Sequence, residues 1–456
     1  MNFAQGYGLV YNHGQHILST TTPFYAILLG VLAHVYPNIP PISNFIGCAA
    51  LIGASVLLIQ LLPKDIPGPL RALAGALSCL MMNPLSTIGS EVPLYIFFIA
   101  LTMWLFELNQ PVLTGIASGL TALTRPDGLV TIVVVLFNQI LRRKRRDAVK
   151  TFLCFIAVVT PWLVYSISEY GGPFPVTLKA KQHQAHLLGN YGYLRGLLTT
   201  LNFVRKDYGN AIFVLAGLIG VAGVAILIRR KFFPPLLQWA LLYIAGYTIL
   251  GVVYYHWYYS GLFPVGIYIV TIALGAFHKK MRGFSAKGSA GANNEPNRLS
   301  LILPAVATIV LVAPIALKTF ELAYQRYTWP PAPPGYILYR PVGEWINKNT
   351  PRDSTVGGLQ IGIMGYYSQR TIIDFAGLIE PDIARCGGRE YTDWGKWAIK
   401  KYDPDYVAMD FPWGNPIVKE TWFIKEYLPI KQFSFPNTWS VTIYRKIAKP
   451  DIHSRR

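Results

Sequence analysis

The sequence predicts a polytopic α-helical membrane protein of about ten transmembrane helices with a small C-terminal α/β domain. Three observations carry that reading. Apolar stretches recur near 43–62, 69–87, 92–107, 111–123, 128–141, 148–168, 209–228, 234–253, 258–277 and 300–318. Hydrophobic residues make up 52% of the chain and charged ones 14%, at a mean hydropathy of +0.35, too apolar for one water-soluble domain. The acids are skewed: eight of the 22 Asp and Glu lie in residues 1–318 and 14 beyond, so the soluble part sits at the C-terminus.

Charge sets the sides. The basic runs 142–146, 229–231 and 279–298 flank apolar spans, as cytoplasmic segments do. With 142–146 inside, alternation of the spans brings the other two runs inside as well. The opposite, extracytoplasmic face then collects 1–42, 88–92, 124–128, 169–208, 254–258 and 319–456. The net charge of +19 is thereby a topology signal, and no nucleic-acid partner is expected. Cys48, Cys79 and Cys154 lie in apolar spans and Cys386 stands alone, so neither a disulfide framework nor a CxxC metal motif is present.

The domains follow in order. Residues 1–42 form an extracytoplasmic loop with a juxtamembrane helix over 24–36, too short to cross a hydrocarbon core of about 30 Å. Residues 43–318 form the membrane domain. Residues 319–335, with Trp329-Pro330-Pro331-Ala332-Pro333-Pro334, read as a stiff extended linker. Residues 336–456 read as an α/β domain, with helices at 342–346 and 394–401 and strands at 354–359, 371–375, 406–409 and 439–444.

Chemistry is sought on the extracytoplasmic face. Glu91 stands at the start of a span, where an acid also suits the helix dipole. Arg125 and Asp127 flank Pro126 between two short helices, either as a local ion pair or as a grip on an anion. Lys179, Lys181, His183, His186 and Arg195 lie in the 169–208 loop. Cations there run against the positive-inside trend, which leaves a lipid-linked phosphate or phospholipid headgroups as their partners. His183 and His186 have no matching carboxylate nearby, so neither a metal nor another cofactor is expected. The turn Tyr254-Tyr255-His256-Trp257-Tyr258-Tyr259-Ser260 fits an interfacial aromatic belt or a sugar-stacking surface.

Several segments in this order resemble the GT-C-fold glycosyltransferases, in particular those related to protein O-mannosyltransferases and lipid A aminoarabinose transferases. They are Asn2-Phe3-Ala4-Gln5-Gly6-Tyr7-Gly8-Leu9-Val10-Tyr11-Asn12 with Thr22-Pro23, Gly89-Ser90-Glu91-Val92-Pro93-Leu94, and Leu123-Thr124-Arg125-Pro126-Asp127-Gly128. Tyr170-Gly171-Gly172-Pro173-Phe174-Pro175 with Lys179-Ala180-Lys181, Trp257-Tyr258-Tyr259 with Pro264, and Ile373-Asp374-Phe375-Ala376-Gly377-Leu378 continue the series.

The resemblance implies transfer of a sugar from a polyprenyl-phosphate donor to a glycan, lipid or protein acceptor of the cell envelope, with inversion, at the plasma membrane. It makes Arg125, Lys179, Lys181 and Arg195 candidates for the donor phosphate. Tyr11, Glu91, Asp127, His183, His256 and Tyr258 are candidates for contact with substrate. Family members carry a first span and an acidic pair ahead of the Asn-x-Ala-x-Gly segment at which this chain opens. The resemblance therefore places the expected catalytic Asp ahead of Met1, as in a shortened member without activity, and leaves Glu91 as a weaker substitute. A non-catalytic glycolipid-binding scaffold and a transporter of lipid-linked saccharides are the alternatives. No internal repeat of a transporter kind is visible.

Overall fold

The computed structural model describes residues 2–187, 192–231, 233–288, 298–328, 334–386, 388, 390–435 and 439–447. They form two compact units: Thr21–Ser168 with Tyr191–Trp329, and Asn2–Thr20 with Glu169–Asn190 and Pro330–Arg456.

In the first unit every expected apolar stretch is helical, from Ile39–Leu61 through Val92–Glu107, Pro111–Thr124 and Leu129–Leu141 to Arg298–Thr328. Among the described residues four helices are long and apolar enough to cross a membrane: Ile39–Leu61, Arg145–Tyr170, Asn210–Arg229 and His256–Met281. Prolines start many of the helices, at Pro23, Pro93, Pro111 and Pro235 among others, because their fixed φ suits the first turn and their missing N–H has no partner there anyway. Asn210–Arg229 leaves Leu218, Val221 and Ile228 66%, 69% and 71% exposed, a surface for lipid rather than water. The Pro111–Thr124 helix instead packs closely on Arg145–Tyr170. A Cβ on Gly119 would stand 2.7 Å from Val158 Cβ, so small residues set this approach.

The two ends of this unit carry different groups. Arg142 donates to Glu107 (3.1 Å), Lys144 to Asn109, and Lys279 pairs with Asp65 (3.9 Å) at one end. Glu91, Arg125 and the 254–260 turn gather at the other, where Asn83 donates to the His256 carbonyl at 3.2 Å.

Three expectations change. The 24–36 helix is Pro23–Leu32. The 169–208 loop contains two helices, Val176–Leu187 and Tyr193–Tyr208. The expected linker is helical on both sides of 329–333, which lie outside the described residues: Arg298–Thr328 runs on through a Lys318–Glu321 pair (2.7 Å), and Pro334 opens the helix Pro334–Asn349 instead of extending the chain.

The second unit is built on five strands: β1 Thr355–Gly358, β2 Thr371–Asp374, β3 Tyr406–Phe411, β4 Tyr427–Phe435 and β5 Trp439–Lys446. Their order is β2-β1-β3-β5-β4, with β1 parallel to β2 and β3, and β5 antiparallel to β3 and β4. Alternation along β3 feeds two cores. Ala408 joins Val342, Ile346 and Met364 on one face; Val407 and Met409 join Phe375, Trp394 and Phe423 on the other. Sequence reading missed β4, whose Pro429 and Lys431 flank a register shift on an edge strand.

The opposite edge, β2, is covered by the N-terminal segment. Asn12, 3% exposed, uses its carboxamide as a strand would: it donates to the Ile372 carbonyl (2.8 Å) and accepts from the Ile372 N–H (2.9 Å). Beside it the Tyr11 hydroxyl donates to the Ile361 carbonyl at 2.5 Å. Asn12→Leu should leave both Ile372 groups without partners, at about 1–3 kcal/mol each. Faster hydrogen exchange at the Ile372 amide and a lower urea midpoint are expected. Unchanged exchange would show that Asn12 does not seal this edge.

Acids buried in this unit make it pH-sensitive. Burial pushes Asp374 up to about 7, against three backbone N–H donors from Ala376, Leu378 and Ile379. Burial also pushes Asp410 up to about 6 and raises Glu380. Each folded value lies above the unfolded one, so the folded domain holds protons the unfolded chain has lost. Stability should therefore fall as pH rises from about 4 towards 7. A urea midpoint lower at pH 8 than at pH 5, with a shallower dependence in Asp410→Asn, is the expected result. A midpoint that climbs over this range would contradict it.

Candidate active site

Pro126 decides where the site's cation goes. A residue before proline is driven out of the helical region, and Arg125 is extended (φ −153°, ψ 140°), so the Pro111–Thr124 helix stops at Thr124. Glu91 is delivered by a different turn. Gly89 adopts φ +93°, and a Cβ there would lie 2.7 Å from Asn44 Oδ1; the Ser90 hydroxyl then accepts from the Val92 N–H (3.2 Å).

Arg125 ties these turns together. Its Nη1 donates to Glu91 Oε1 at 2.7 Å, Nε to both oxygens of Asp127 at 3.1 and 3.2 Å, and Nη2 to Asp127 Oδ2 at 3.2 Å and the Tyr247 hydroxyl at 3.0 Å. The Tyr247 hydroxyl donates in turn to Asp127 Oδ2 at 2.7 Å. The side chains of Arg125 and Asp127 are 9% and 10% exposed and that of Glu91 20%, so Glu91 is the carboxylate solvent reaches most. One guanidinium faces two carboxylates. Arg125 meets two carboxylates and one hydroxyl.

Aromatic rings wall this cluster. The guanidinium carbon lies 5.5 Å from the ring centres of both Tyr95 and Tyr258, a cation–π arrangement on either side. Tyr247 is stacked on Tyr193 at 5.0 Å, and Tyr193 on Tyr259 at 4.8 Å. Trp239, Tyr243 and Tyr247 stand at i, i+4 and i+8 on the Pro235–Leu250 helix and turn one face to the site. That spacing was the one readable signal for Tyr247, which sequence reading did not select.

This architecture has solved counterparts. The chain superposes on the archaeal oligosaccharyltransferase AglB from Archaeoglobus fulgidus, solved with an inhibitory peptide and a dolichol-phosphate, at a TM-score of 0.56. Identity is 13%, over 94% of this chain and 66% of that one. It also superposes on ArnT from Cupriavidus metallidurans, bound to undecaprenyl phosphate, at a TM-score of 0.52 and 14% identity, over 94% of this chain and 88% of that one. The fold is GT-C. This GT-C chain spans slightly less than two thirds of the length of the archaeal enzyme. Residues 324–448 match a family described as a domain of unknown function (DUF8728). No curated protein sequence matches the chain.

Within the GT-C fold the expected site residues fall into both units. Glu91, Arg125, Asp127 and Tyr258 form one cluster in the first, while His256 lines a neighbouring cavity. Arg195 is exposed near the start of the Tyr193–Tyr208 helix. Tyr258 is 3% exposed and walls Arg125. In the second unit, Ala180 and Gln184 are the buried face of the Val176–Leu187 helix, and Gln184 donates to the Ala376 carbonyl at 3.1 Å. Lys179 is exposed on the other side of that helix and Lys181 is half-buried. The His183 side chain lies outside the described residues. Tyr11 donates to the Ile361 carbonyl and packs against the sheet core.

Proposed function

We propose that this protein is an integral membrane glycosyltransferase that moves a sugar from a polyprenyl-phosphate donor to a cell-envelope acceptor. The observation that carries the reading is the GT-C fold across 94% of the chain, held in common with enzymes solved with dolichol-phosphate and undecaprenyl phosphate. By the positive-inside trend the end bearing Arg142, Lys144 and Lys279 is cytoplasmic, about ten spans cross the plasma membrane, and the chemistry lies outside.

In the reaction the acceptor oxygen forms a bond to the anomeric carbon as the bond from that carbon to the phosphate oxygen breaks, inverting the centre. Polyprenyl phosphate leaves with the bonding electrons, and the acceptor's proton passes to a carboxylate. Glu91 is our candidate for that proton, since it meets Arg125 through Oε1 and keeps the greater exposure of the two acids. Arg195, in the same unit as Glu91, is the candidate for the leaving phosphate. Arg125 and Asp127 position Glu91.

The test is release of polyprenyl phosphate by the full chain in lipid nanodiscs, given polyprenyl-phosphate sugars and cell-envelope acceptors. Release is expected, with donor affinity about tenfold weaker in Arg195→Ala at an unchanged melting temperature. Absence of release with every donor and acceptor pair would overturn the reading.

A further inference from the structure

Tyr193 opens the Tyr193–Tyr208 helix two residues before Arg195, and the two side chains meet different surroundings. Arg195 is exposed. Beside it Leu194, Leu198 and Leu201, at i, i+4 and i+7, form an apolar stripe that is 51%, 66% and 42% exposed. A helix with such a stripe and a cation lies along a bilayer surface, at the depth of lipid-borne phosphate.

Tyr193 is 2% exposed. Its ring stacks on Tyr247 at 5.0 Å and on Tyr259 at 4.8 Å, and meets Tyr243 edge-on at 6.3 Å. Two further contacts hold the start of the helix against this wall. The Tyr259 hydroxyl donates to the Tyr193 carbonyl at 2.7 Å. A Cβ on Gly196 would stand 2.2 Å from Tyr254 Cδ2 and 2.4 Å from the Tyr259 hydroxyl, so glycine allows the approach.

Tyr247 carries the link onward. Its hydroxyl donates to Asp127 and accepts from Arg125, and Arg125 holds Glu91 at 2.7 Å. Within the first unit an unbroken path of contacts thus runs from the backbone that bears Arg195 to the carboxylate that takes the proton. The Tyr193 hydroxyl stands outside this path: it is buried with no hydrogen-bond partner among the described residues. The ring makes the contact.

We propose that Tyr193 is a positioning residue: its ring, set against Tyr247 and Tyr259, fixes the first turn of its helix relative to Glu91 and so aims Arg195 at the lipid phosphate. The inference rests on the glycosyltransferase reading and deepens it, by naming the side chain that spaces the phosphate ligand from the proton acceptor.

The experiment measures binding of a short-chain polyprenyl phosphate, without sugar, to the full chain in nanodiscs, reading affinity and the number of sites separately. Arg195→Ala and Tyr193→Leu should each weaken binding about tenfold, and the two together little more than either, because a wedge that acts through Arg195 then has nothing to aim. Tyr193→Phe should keep the native affinity, since it loses only the unpartnered hydroxyl. Tyr259→Phe keeps every ring and removes only the bond to the Tyr193 carbonyl, so it serves where Tyr193→Leu does not fold. It should weaken binding about threefold and add nothing to Arg195→Ala. A loss of roughly a hundredfold in Tyr193→Leu/Arg195→Ala, or losses that add for Tyr259→Phe, would show that the wedge acts elsewhere and would overturn the proposal. Fewer sites at native affinity would mark Tyr193 as structural alone, and would overturn it too. Native affinity in Arg195→Ala would leave no phosphate ligand to position, while the glycosyltransferase reading stands. Failure of the native chain to bind any polyprenyl phosphate would remove that reading and this inference with it.

Discussion

Arg125→Met should cost the membrane unit about 3–5 kcal/mol, because it strands two carboxylates in a site closed by tyrosine rings. Asp127 would lose three of its contacts and Glu91 its 2.7 Å partner, while Tyr247 alone could still donate. The expected observation is a large fall in melting temperature in detergent and a loss of folded protein on gel filtration. Arg125→Lys should recover little, since a single ammonium cannot span Glu91, Asp127 and Tyr247 as the fork of a guanidinium does. Neutralising the acids as well, in Arg125→Met/Glu91→Gln/Asp127→Asn, should restore much of the loss. If Arg125→Met melts as the native protein does, the cluster contributes nothing to stability and its carboxylates are not truly desolvated.

Glu91→Gln should separate chemistry from architecture. The carboxamide keeps an oxygen where Oε1 accepts from Arg125, so the melting temperature should hold. It cannot take a proton from an acceptor hydroxyl, so turnover should fall by about 10²–10⁴-fold with donor affinity preserved. Asp127→Asn should behave differently. Asp127 accepts from both Arg125 and Tyr247, so its loss should lower stability and activity together. A Glu91→Gln protein that keeps more than about a tenth of native turnover would remove Glu91 as the proton acceptor and return the search to other acids.

Much of the architecture is local, and local features can be read from a sequence. Runs of apolar residues long enough for a helix became helices, and Arg142 and Lys279, from two of the basic runs, pair with Glu107 and Asp65. Four of the five strands of the sheet domain were foreseen from short β-branched runs between turns. β4 was not, because an edge strand tolerates proline and lysine and so lacks the apolar alternation of an inner one. Helices 176–187 and 193–208 escaped the sequence reading because polar and charged residues interrupt their apolar positions, so neither forms a continuous apolar run.

The candidate site divides along the same line. Glu91, Arg125 and Asp127 could be singled out one by one, since charge at the end of an apolar span is conspicuous. By itself the sequence determined which side chains are costly to place in this protein, and it determined the helices that carry them. Only the tertiary structure decided how that cost is met. It joined Arg125 to Tyr247 across 122 residues, set its guanidinium on two acids, and sent Asn12 to seal a strand 360 residues away. Helix and strand periods record contacts a few residues apart; a partner a hundred residues distant is chosen by shape and by the need to satisfy a buried charge, and leaves no period behind.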